Sequence, residues 1–273
     1  LVVGSQLDGM ATRNWSMPRP PLLLRVDVDE RTAHQGWPPD AVVVGDAALV
    51  CDALATRVAP REPWADQVFR VRHALHAELA ADPRTTEAAA LLDSVDLGWP
   101  AGGDVVCDMA VAGYWVGGYA AMPRSRRLQY PVGWGTLGYA LPAAVGAAAG
   151  SGRPVLAVAG DGGVPFALGE LATLAQENLP VTLLVVDDGG YGMLRYDQQV
   201  AGDPERGVDL RGPDWLALAA AFGIAAHAVD SVGGPLAAAL ADAAAAGPGP
   251  TLLHVRARLH PPRTTSPRWG KSG

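Results

Sequence analysis

The sequence predicts an α/β fold in which helices cover both faces of a parallel β-sheet. The clearest observation is a strand–helix–strand pattern: an apolar run at 155–159, apolar residues at helical spacing over 168–176, and a second apolar run at 181–186. Strand and helix patterns continue to alternate up to Val255. A helical crossover of this kind joins parallel strands, so both strands should end at the same edge of the sheet.

Composition limits the classes of function. The 273 residues have a formal net charge of −7 and contain no basic run, which argues against nucleic acid as a partner. With 49% hydrophobic and 18% charged residues, the chain can bury a core. No stretch reaches the ~20 apolar residues of a membrane span, so no membrane partner is expected. Cys51 and Cys107 are predicted to be buried and unpaired, which favours a reducing cytoplasm.

The N-terminal part predicts half of an α/β domain, at 1–60. Its expected elements are strands at 1–3, 22–28 and 41–44 and a helix at 47–55. Asp46 stands at the N-cap position of that helix. The first residues, Leu1 to Gly4, have the pattern of the end of a buried strand. We therefore expect the sequence to be a fragment of a longer protein.

A boundary rich in proline precedes the rest of the chain, which predicts a helical linker at 61–100, a second α/β domain at 101–260 and a tail at 261–273. The expected helices are at 64–80, 85–95, 134–150, 215–222 and 236–246, and further strands are expected at 104–109, 224–229 and 251–255. The polar segment 194–212 is predicted to be a mobile loop.

A histidine pair and an arginine cluster are both interpreted as surface groups. His73 and His76 share a helix face, but no third ligand is evident nearby, which favours surface histidines over a metal site. Arg124, Arg126 and Arg127 could guide an anion, but a solvated loop is the favoured interpretation.

A ligand-binding site is predicted where the two central strands end. Gly160-Asp161-Gly162-Gly163 follows the first apolar run, and an acidic pair ending in Asp188 follows the second. Although 26 residues separate Asp161 from Asp188, parallel strands would bring them together. Two facing carboxylates repel unless a cation lies between them, and Mg²⁺ prefers carboxylate and phosphate oxygens. A lone Gly-Asp-Gly is typical of a simple turn; the second acidic strand end favours a metal site.

This spacing, with its continuation Asp188-Gly189-Gly190-Tyr191-Gly192-Met193, resembles the diphosphate-binding signature of thiamine-diphosphate enzymes, in the acetolactate synthase and benzoylformate decarboxylase branch. The segment 135–144 resembles the part of that family that contacts the cofactor's pyrimidine, and 22–46 resembles its middle domain. The resemblance implies a diphosphate-binding domain at 101–260, preceded by half of a Rossmann-like middle domain.

The resemblance also implies roles for individual residues. Mg²⁺ would be held by Asp161, Asp188 and the backbone carbonyl of Gly190, where the family usually has Asn at the position of Asp188. The other residues expected to bind thiamine diphosphate are Gly135, Leu137, Gly160, Gly162, Gly163, Tyr191, Gly192 and Met193. Of these, Gly162, Gly163 and the Tyr191-Gly192 turn would donate to the diphosphate. Leu137 would support the bent cofactor, with a core leucine as the alternative.

The implied activity is decarboxylation of a 2-oxo acid with carboligation, as in acetolactate synthase. A benzoylformate-decarboxylase-like enzyme and a non-catalytic cofactor-binding module remain alternatives. The activating glutamate is expected in an N-terminal domain of a partner protomer, so no catalytic residue is assigned here, and a homodimer or homotetramer is expected with its site at the subunit interface. FAD binding is not expected, because Gln6 and Met10 stand where FAD-binding members have arginine.

Overall fold

The computed structural model describes residues 1–9, 11–12, 15–122, 127–133 and 135–262. Met10, Arg124, Arg126, Trp134 and the predicted tail from residue 263 onward therefore lie outside the described residues. The chain divides into two compact units, Leu1–Val68 and Phe69–Pro262. The predicted linker, 61–100, contributes residues to both units.

The first unit contains a small parallel sheet. Its elements are β1 (Val2–Val3), β2 (Leu24–Asp27), β3 (Ala41–Val44), α1 (Glu30–Ala33) and α2 (Ala47–Ala55). The described strands lie in the order β1-β2-β3. Asp46 caps α2 as predicted, because its carboxylate accepts from the backbone N–H groups of Ala48 and Leu49. The prediction that Cys51 is buried is wrong: α2 has no buried residue and Cys51 is exposed, whereas Cys107 is buried.

Two helices follow at the predicted places, α3 (Ala65–Ala81) and α4 (Thr86–Gly98). None of the residues of α3 is buried, whereas α4 buries one face, including Leu91 and Val95. Nε2 of His76 on α3 lies 2.9 Å from the carboxylate of Asp93 on α4, and the His76 side chain is 38% exposed.

The second unit contains the larger sheet. Its strands are β4 (Asp104–Cys107), β5 (Leu128–Gln129), β6 (Val155–Gly160), β7 (Val181–Asp187), β8 (Ala225–Val229) and β9 (Thr251–Arg256). In the described residues these six strands are all parallel and lie in the order β5-β4-β6-β7-β9-β8. The helices are α5 (Val111–Tyr119), α6 (Ala140–Ser151), α7 (Glu170–Glu177), α8 (Gly192–Ala201), α9 (Trp215–Ala221) and α10 (Gly234–Ala245).

Alternate residues of the strands pack on opposite faces of this sheet. Leu156 and Val158 of β6 join a cluster with α4, α5 and α10, while Val155, Ala157 and Ala159 join a second cluster with α6, α7 and α9. This period of two follows from the strand geometry, in which successive side chains point to opposite faces. The predicted fold is therefore confirmed: a parallel sheet with helices on both faces.

Some elements differ from the prediction. The segment 194–212 is not a mobile loop throughout, because α8 occupies its first part and ends at Gly202, a glycine with a φ of 73°. The residues of α8 are polar but include strong helix formers such as Met, Leu, Arg and Gln, so composition alone was a poor guide. β5 and a short 3-10 helix at Val164–Ala167 were not predicted.

No helix among the described residues combines the length and the apolarity needed to cross a membrane.

The packing of α4 gives a matched test of the core. Leu91 is 0% exposed and Leu97, on the same helix, is 80% exposed. We expect Leu91→Ala to lower the free energy of unfolding by about 3 kcal/mol, because it leaves a cavity in the core. Leu97→Ala should change it by less than about 0.5 kcal/mol. Denaturant unfolding measures both, and equal effects would contradict this packing.

Candidate functional site

The predicted acids meet at the edge where β6 and β7 end. These strands are parallel neighbours with Gly160 opposite Val186, so Asp161 and Asp188 lie just beyond two adjacent strand ends. The backbone N–H of Asp188 donates to Asp161 Oδ1 over 3.3 Å. The structure therefore brings together the two acids that the sequence predicts to meet.

Asp161 and Asp188 each have a carboxylate oxygen without a hydrogen-bond partner in the described residues. Asp161 Oδ2 and Asp188 Oδ1 are buried, and no group in the described part of the chain forms a hydrogen bond with either. Burial, together with the charges of Asp187 and Asp188, raises the pKa of Asp161 to about 6. Burial also raises the pKa of Asp188, although Arg195 and Arg258 oppose this effect. A bound divalent cation would satisfy both oxygens and stabilise both negative charges.

The neighbouring acid, Asp187, is engaged elsewhere. Its Oδ2 lies 2.9 Å from Nε2 of His254 on β9, and its Oδ1 accepts from the N–H of Gly189. Asp188 is therefore the member of the acidic pair whose oxygen is left for a cation.

The third predicted ligand, the carbonyl of Gly190, borders the same space. Its oxygen lies 3.1 Å from the position that a Cβ on Gly162 would occupy. Within the described residues, no group of three His, Cys, Asp or Glu side chains could hold a metal ion. A cation between Asp161 and Asp188 would take its remaining ligands from the backbone carbonyl, water or phosphate oxygens, and these residues fit Mg²⁺.

Close approach explains the glycines of the first turn. A Cβ on Gly162 would lie 2.7 Å from the ring of Tyr191, and one on Gly160 would lie 3.1 Å from Cβ of Ala110. A Cβ on Gly163 would collide with the carboxylate of Asp108. The turn is therefore in contact with the loops that follow β4 and β7.

Two of the predicted diphosphate donors are already engaged. The N–H of Gly163 donates to the carbonyl of Gly160 over 3.0 Å, and the N–H of Tyr191 donates to the carbonyl of Val208 over 2.8 Å. The prediction that these two groups donate to a diphosphate is therefore not supported. The N–H groups of Gly162 and Gly192 remain as candidates, and Gly192 begins α8, where a helix N-terminus attracts anions.

A segment that the sequence did not link to the site lies against Gly190. We name residues 203–210 the strap. The N–H of Leu210 donates to the carbonyl of Gly189, and Gly190 and Asp209 form an isolated antiparallel bridge. Arg195 is 8% exposed and lies 2.9 Å from Asp209, 3.6 Å from Asp188 and 3.8 Å from Glu205. One arginine thus joins the strap to a predicted metal ligand.

The predicted pyrimidine segment lies next to these loops. Gly135 is exposed and has a φ of 65°, and Leu137 is half-buried and belongs to neither hydrophobic cluster of the described residues. The core-leucine alternative for Leu137 is therefore not supported. The side chain of Met193, by contrast, packs against the cluster beneath α5 and α10.

Asp108 is the buried residue at this edge that the sequence reasoning missed. Its side chain is 0% exposed and accepts from the N–H groups of Met109, Gly138 and Tyr139. The available signal was its position, because Asp108 directly follows β4 just as Asp161 follows β6 and Asp188 follows β7.

Comparison with known proteins identifies the family. Residues 108–255 match the family model described as thiamine pyrophosphate enzyme, C-terminal TPP binding domain. The chain belongs to the thiamine pyrophosphate enzyme family. Thiamine pyrophosphate is thiamine diphosphate, so the family resemblance predicted from the sequence is confirmed.

Relatives of different activity match this chain. It is 36% identical over 236 residues to a probable 2-ketoarginine decarboxylase from Pseudomonas aeruginosa, covering 82% of this chain and 41% of that protein. It is 28% identical over 262 residues to the large subunit of acetolactate synthase isozyme 2 from Escherichia coli, covering 93% of this chain and 47% of that protein. The chain thus spans about half the length of these relatives.

A solved structure shows the same fold. The thiamine diphosphate-dependent 4-hydroxybenzoylformate decarboxylase of Rhodococcus jostii superposes with a TM-score of 0.70 at 23% identity, covering 90% of this chain and 46% of that one.

The raised pKa of Asp161 predicts a pH dependence of stability in the metal-free protein. The folded pKa of about 6 exceeds the ordinary 3.8, so the folded state holds the proton more tightly and loses stability as pH rises between these values. Asp161→Asn has no carboxyl group to ionise, so it should not lose stability in this way. Between pH 4 and pH 7, its free energy of unfolding should therefore rise relative to that of the wild type by about 2 kcal/mol. Urea unfolding in EDTA measures this, and parallel pH curves would contradict it.

The contacts of Arg195 predict that this residue keeps the strap in an ordered conformation. Arg195→Met keeps the length of the side chain but removes the guanidinium that contacts Asp188 and Asp209, which should cost about 1.5 kcal/mol of local stability. Trypsin should then cleave after Arg206, an exposed residue of the strap, about tenfold faster. Arg153→Met is the control, because it removes an ion pair with Asp104 instead. Equal cleavage in both variants would contradict a role for Arg195 in ordering the strap.

Proposed function

We propose that the complete protein catalyses the thiamine-diphosphate- and Mg²⁺-dependent decarboxylation of a 2-oxo acid. The observation that supports this most is the convergence of Asp161, Asp188 and the carbonyl of Gly190, with two buried carboxylate oxygens that lack hydrogen-bond partners in the described residues. When bound, thiamine diphosphate supplies an electron sink for the bond that breaks as CO₂ leaves.

The residues of this chain would bind and orient the cofactor. Asp161, Asp188 and the Gly190 carbonyl would hold Mg²⁺, and the N–H groups of Gly162 and Gly192 would donate to the diphosphate. Gly135 and Leu137 would contact the other end of the cofactor. Since Leu137 is only half-buried, its side chain has a face available for such a contact.

The rest of the site would come from chain beyond these residues. We propose that an activating glutamate on a partner protomer completes it, in a cytoplasmic homodimer or homotetramer. The family relatives are more than twice as long as the part that this chain matches, which leaves room for such a domain. This chain alone should therefore bind cofactor without turning over substrate.

The fate of the decarboxylated product separates two candidates. Carboligation to a second 2-oxo acid, as in acetolactate synthase, is the activity that the sequence suggests. The second candidate is protonation of the decarboxylated product to give an aldehyde. It is favoured by the higher sequence identity of this chain to the decarboxylase, 36%, than to the synthase, 28%. Assays of the complete protein on pyruvate, benzoylformate and 2-ketoarginine, following both acetolactate and aldehyde, distinguish them. Cofactor binding without turnover of any 2-oxo acid would favour a non-catalytic module.

Substitutions at the two acids test the metal site. Neutralising both acids in Asp161→Asn/Asp188→Asn should weaken Mg²⁺-dependent binding of thiamine diphosphate by at least about 100-fold, since both carboxylate charges are removed. Asp188→Asn alone keeps an oxygen ligand and should bind within about tenfold of the wild type. Titration calorimetry with and without Mg²⁺ measures the affinities. Unchanged Mg²⁺-dependent uptake in the double variant would refute the site.

A further inference from the structure

The buried carboxylate of Asp108 lies between two segments that the proposed function places on the cofactor. Its Oδ2 accepts from the N–H of Gly138 over 2.9 Å, and its Oδ1 accepts from Tyr139 over 3.0 Å and from Met109 over 3.1 Å. In the part of the chain that the structure describes, no arginine, lysine or histidine forms an ion pair with it. Burial raises the pKa of Asp108, and in place of a cation the three backbone N–H groups oppose this effect.

The bonds to Gly138 and Tyr139 fix the start of α6. Tyr139 is the N-cap residue of this helix, and its own side chain makes no capping hydrogen bond. Asp108, just past the end of β4, accepts from the N–H groups of Gly138 and Tyr139 immediately before the first helical residue, and its negative charge lies at the positive end of the helix. The segment that includes Gly135 and Leu137 leads directly into these bonds, so Asp108 anchors its C-terminal end.

The other side of Asp108 touches the Gly-Asp-Gly-Gly turn. A Cβ on Gly163 would collide with Asp108 Oδ2 and would lie 3.6 Å from the N–H nitrogen of Gly138. In turn, a Cβ on Gly138 would lie 3.3 Å from the carbonyl oxygen of Gly163. The carboxylate therefore fills the space between the two turns and limits how closely they approach.

We propose that Asp108 is a positioning residue that sets the separation between segment 135–138 and turn 160–163, so that both ends of the cofactor are held at once. This rests on the proposed function for what the two segments bind. Binding energy falls steeply when contact groups are displaced by even about 1 Å, so a loosened segment should weaken the grip on the cofactor.

The test uses Asp108→Asn in the complete protein. In either orientation the amide has one oxygen, so at least one of the three N–H groups loses its acceptor and faces an NH₂ group. Amide hydrogen exchange at Gly138 and Tyr139 should accelerate by about tenfold or more. Calorimetry with thiamine diphosphate at saturating Mg²⁺ should show affinity weakened by about tenfold.

Asp104→Asn is the matched control. Asp104 begins the same strand that Asp108 follows, is 5% exposed, and pairs with Arg127 and Arg153 at 2.8 and 2.9 Å. Its loss should lower the melting temperature but leave cofactor affinity and exchange at Gly138 unchanged. If Asp108→Asn lowers the melting temperature equally and leaves affinity at the wild-type value, Asp108 is merely structural and the proposal is overturned.

A second variant covers the case in which Asp108→Asn does not fold. Gly163 has a right-handed backbone conformation that alanine adopts readily, so Gly163→Ala introduces only a methyl group against Asp108 Oδ2. Exchange at Gly138 and Tyr139 should accelerate although the change lies in the other segment, and unaltered exchange would overturn the proposal. Failure of the wild type to bind thiamine diphosphate would instead refute the proposed function, and the exchange result would still decide the role of Asp108.

Discussion

The parallel pairing of β4, β6 and β7 is the constraint on which the site depends. It places the acids that follow these strands, Asp108, Asp161 and Asp188, at one edge of the sheet, out of contact with most of the solvent. Buried carboxylates cost free energy unless they are hydrogen-bonded or paired. Asp108 meets this requirement with three backbone N–H groups, whereas Asp161 and Asp188 each keep an oxygen without a hydrogen-bond partner in the described residues. The same edge therefore contains one carboxylate that is internally satisfied and two that need a ligand.

The glycines are the reason that three loops can meet there. Side chains at Gly160, Gly162 or Gly163 would collide with the neighbouring loops or press tightly against them. Gly138 has a φ of 77°, and a Cβ on Gly138 would lie only 2.7 Å from Cβ of Phe166. Glycine costs conformational entropy on folding, so the extensive interior packing of the sheet must offset this loss. At this site, glycines allow the backbones to approach closely although they lower local stability.

The sequence predicted the parts of this arrangement that repeat or alternate. Apolar runs of strand length and helical spacing located β6, α7 and β7, and their parallel arrangement placed Asp161 and Asp188 together. Asp108 was missed because its partners, Gly138 and Tyr139, lie about 30 residues away and are backbone groups, which leave no pattern in a sequence. The strap was missed for the same reason, since its contacts with Gly189 and Tyr191 are made by the main chain. Cys51 was misjudged because an apolar helix pattern does not reveal whether a neighbour covers it.

The charge at residue 188 ties the metal site to the strap. An aspartate there adds a negative charge beside Asp161, which would disfavour a diphosphate unless a cation compensates. Arg195 lies near enough to Asp188 to lower the cost of that charge, but it also pairs with Asp209 and Glu205. Its guanidinium therefore neutralises only part of the charge at 188, and the remainder is available to a divalent cation. Because the same group also contacts the strap, which lies against Gly190, the electrostatics of the metal ligands are coupled to the conformation of the turn that carries them.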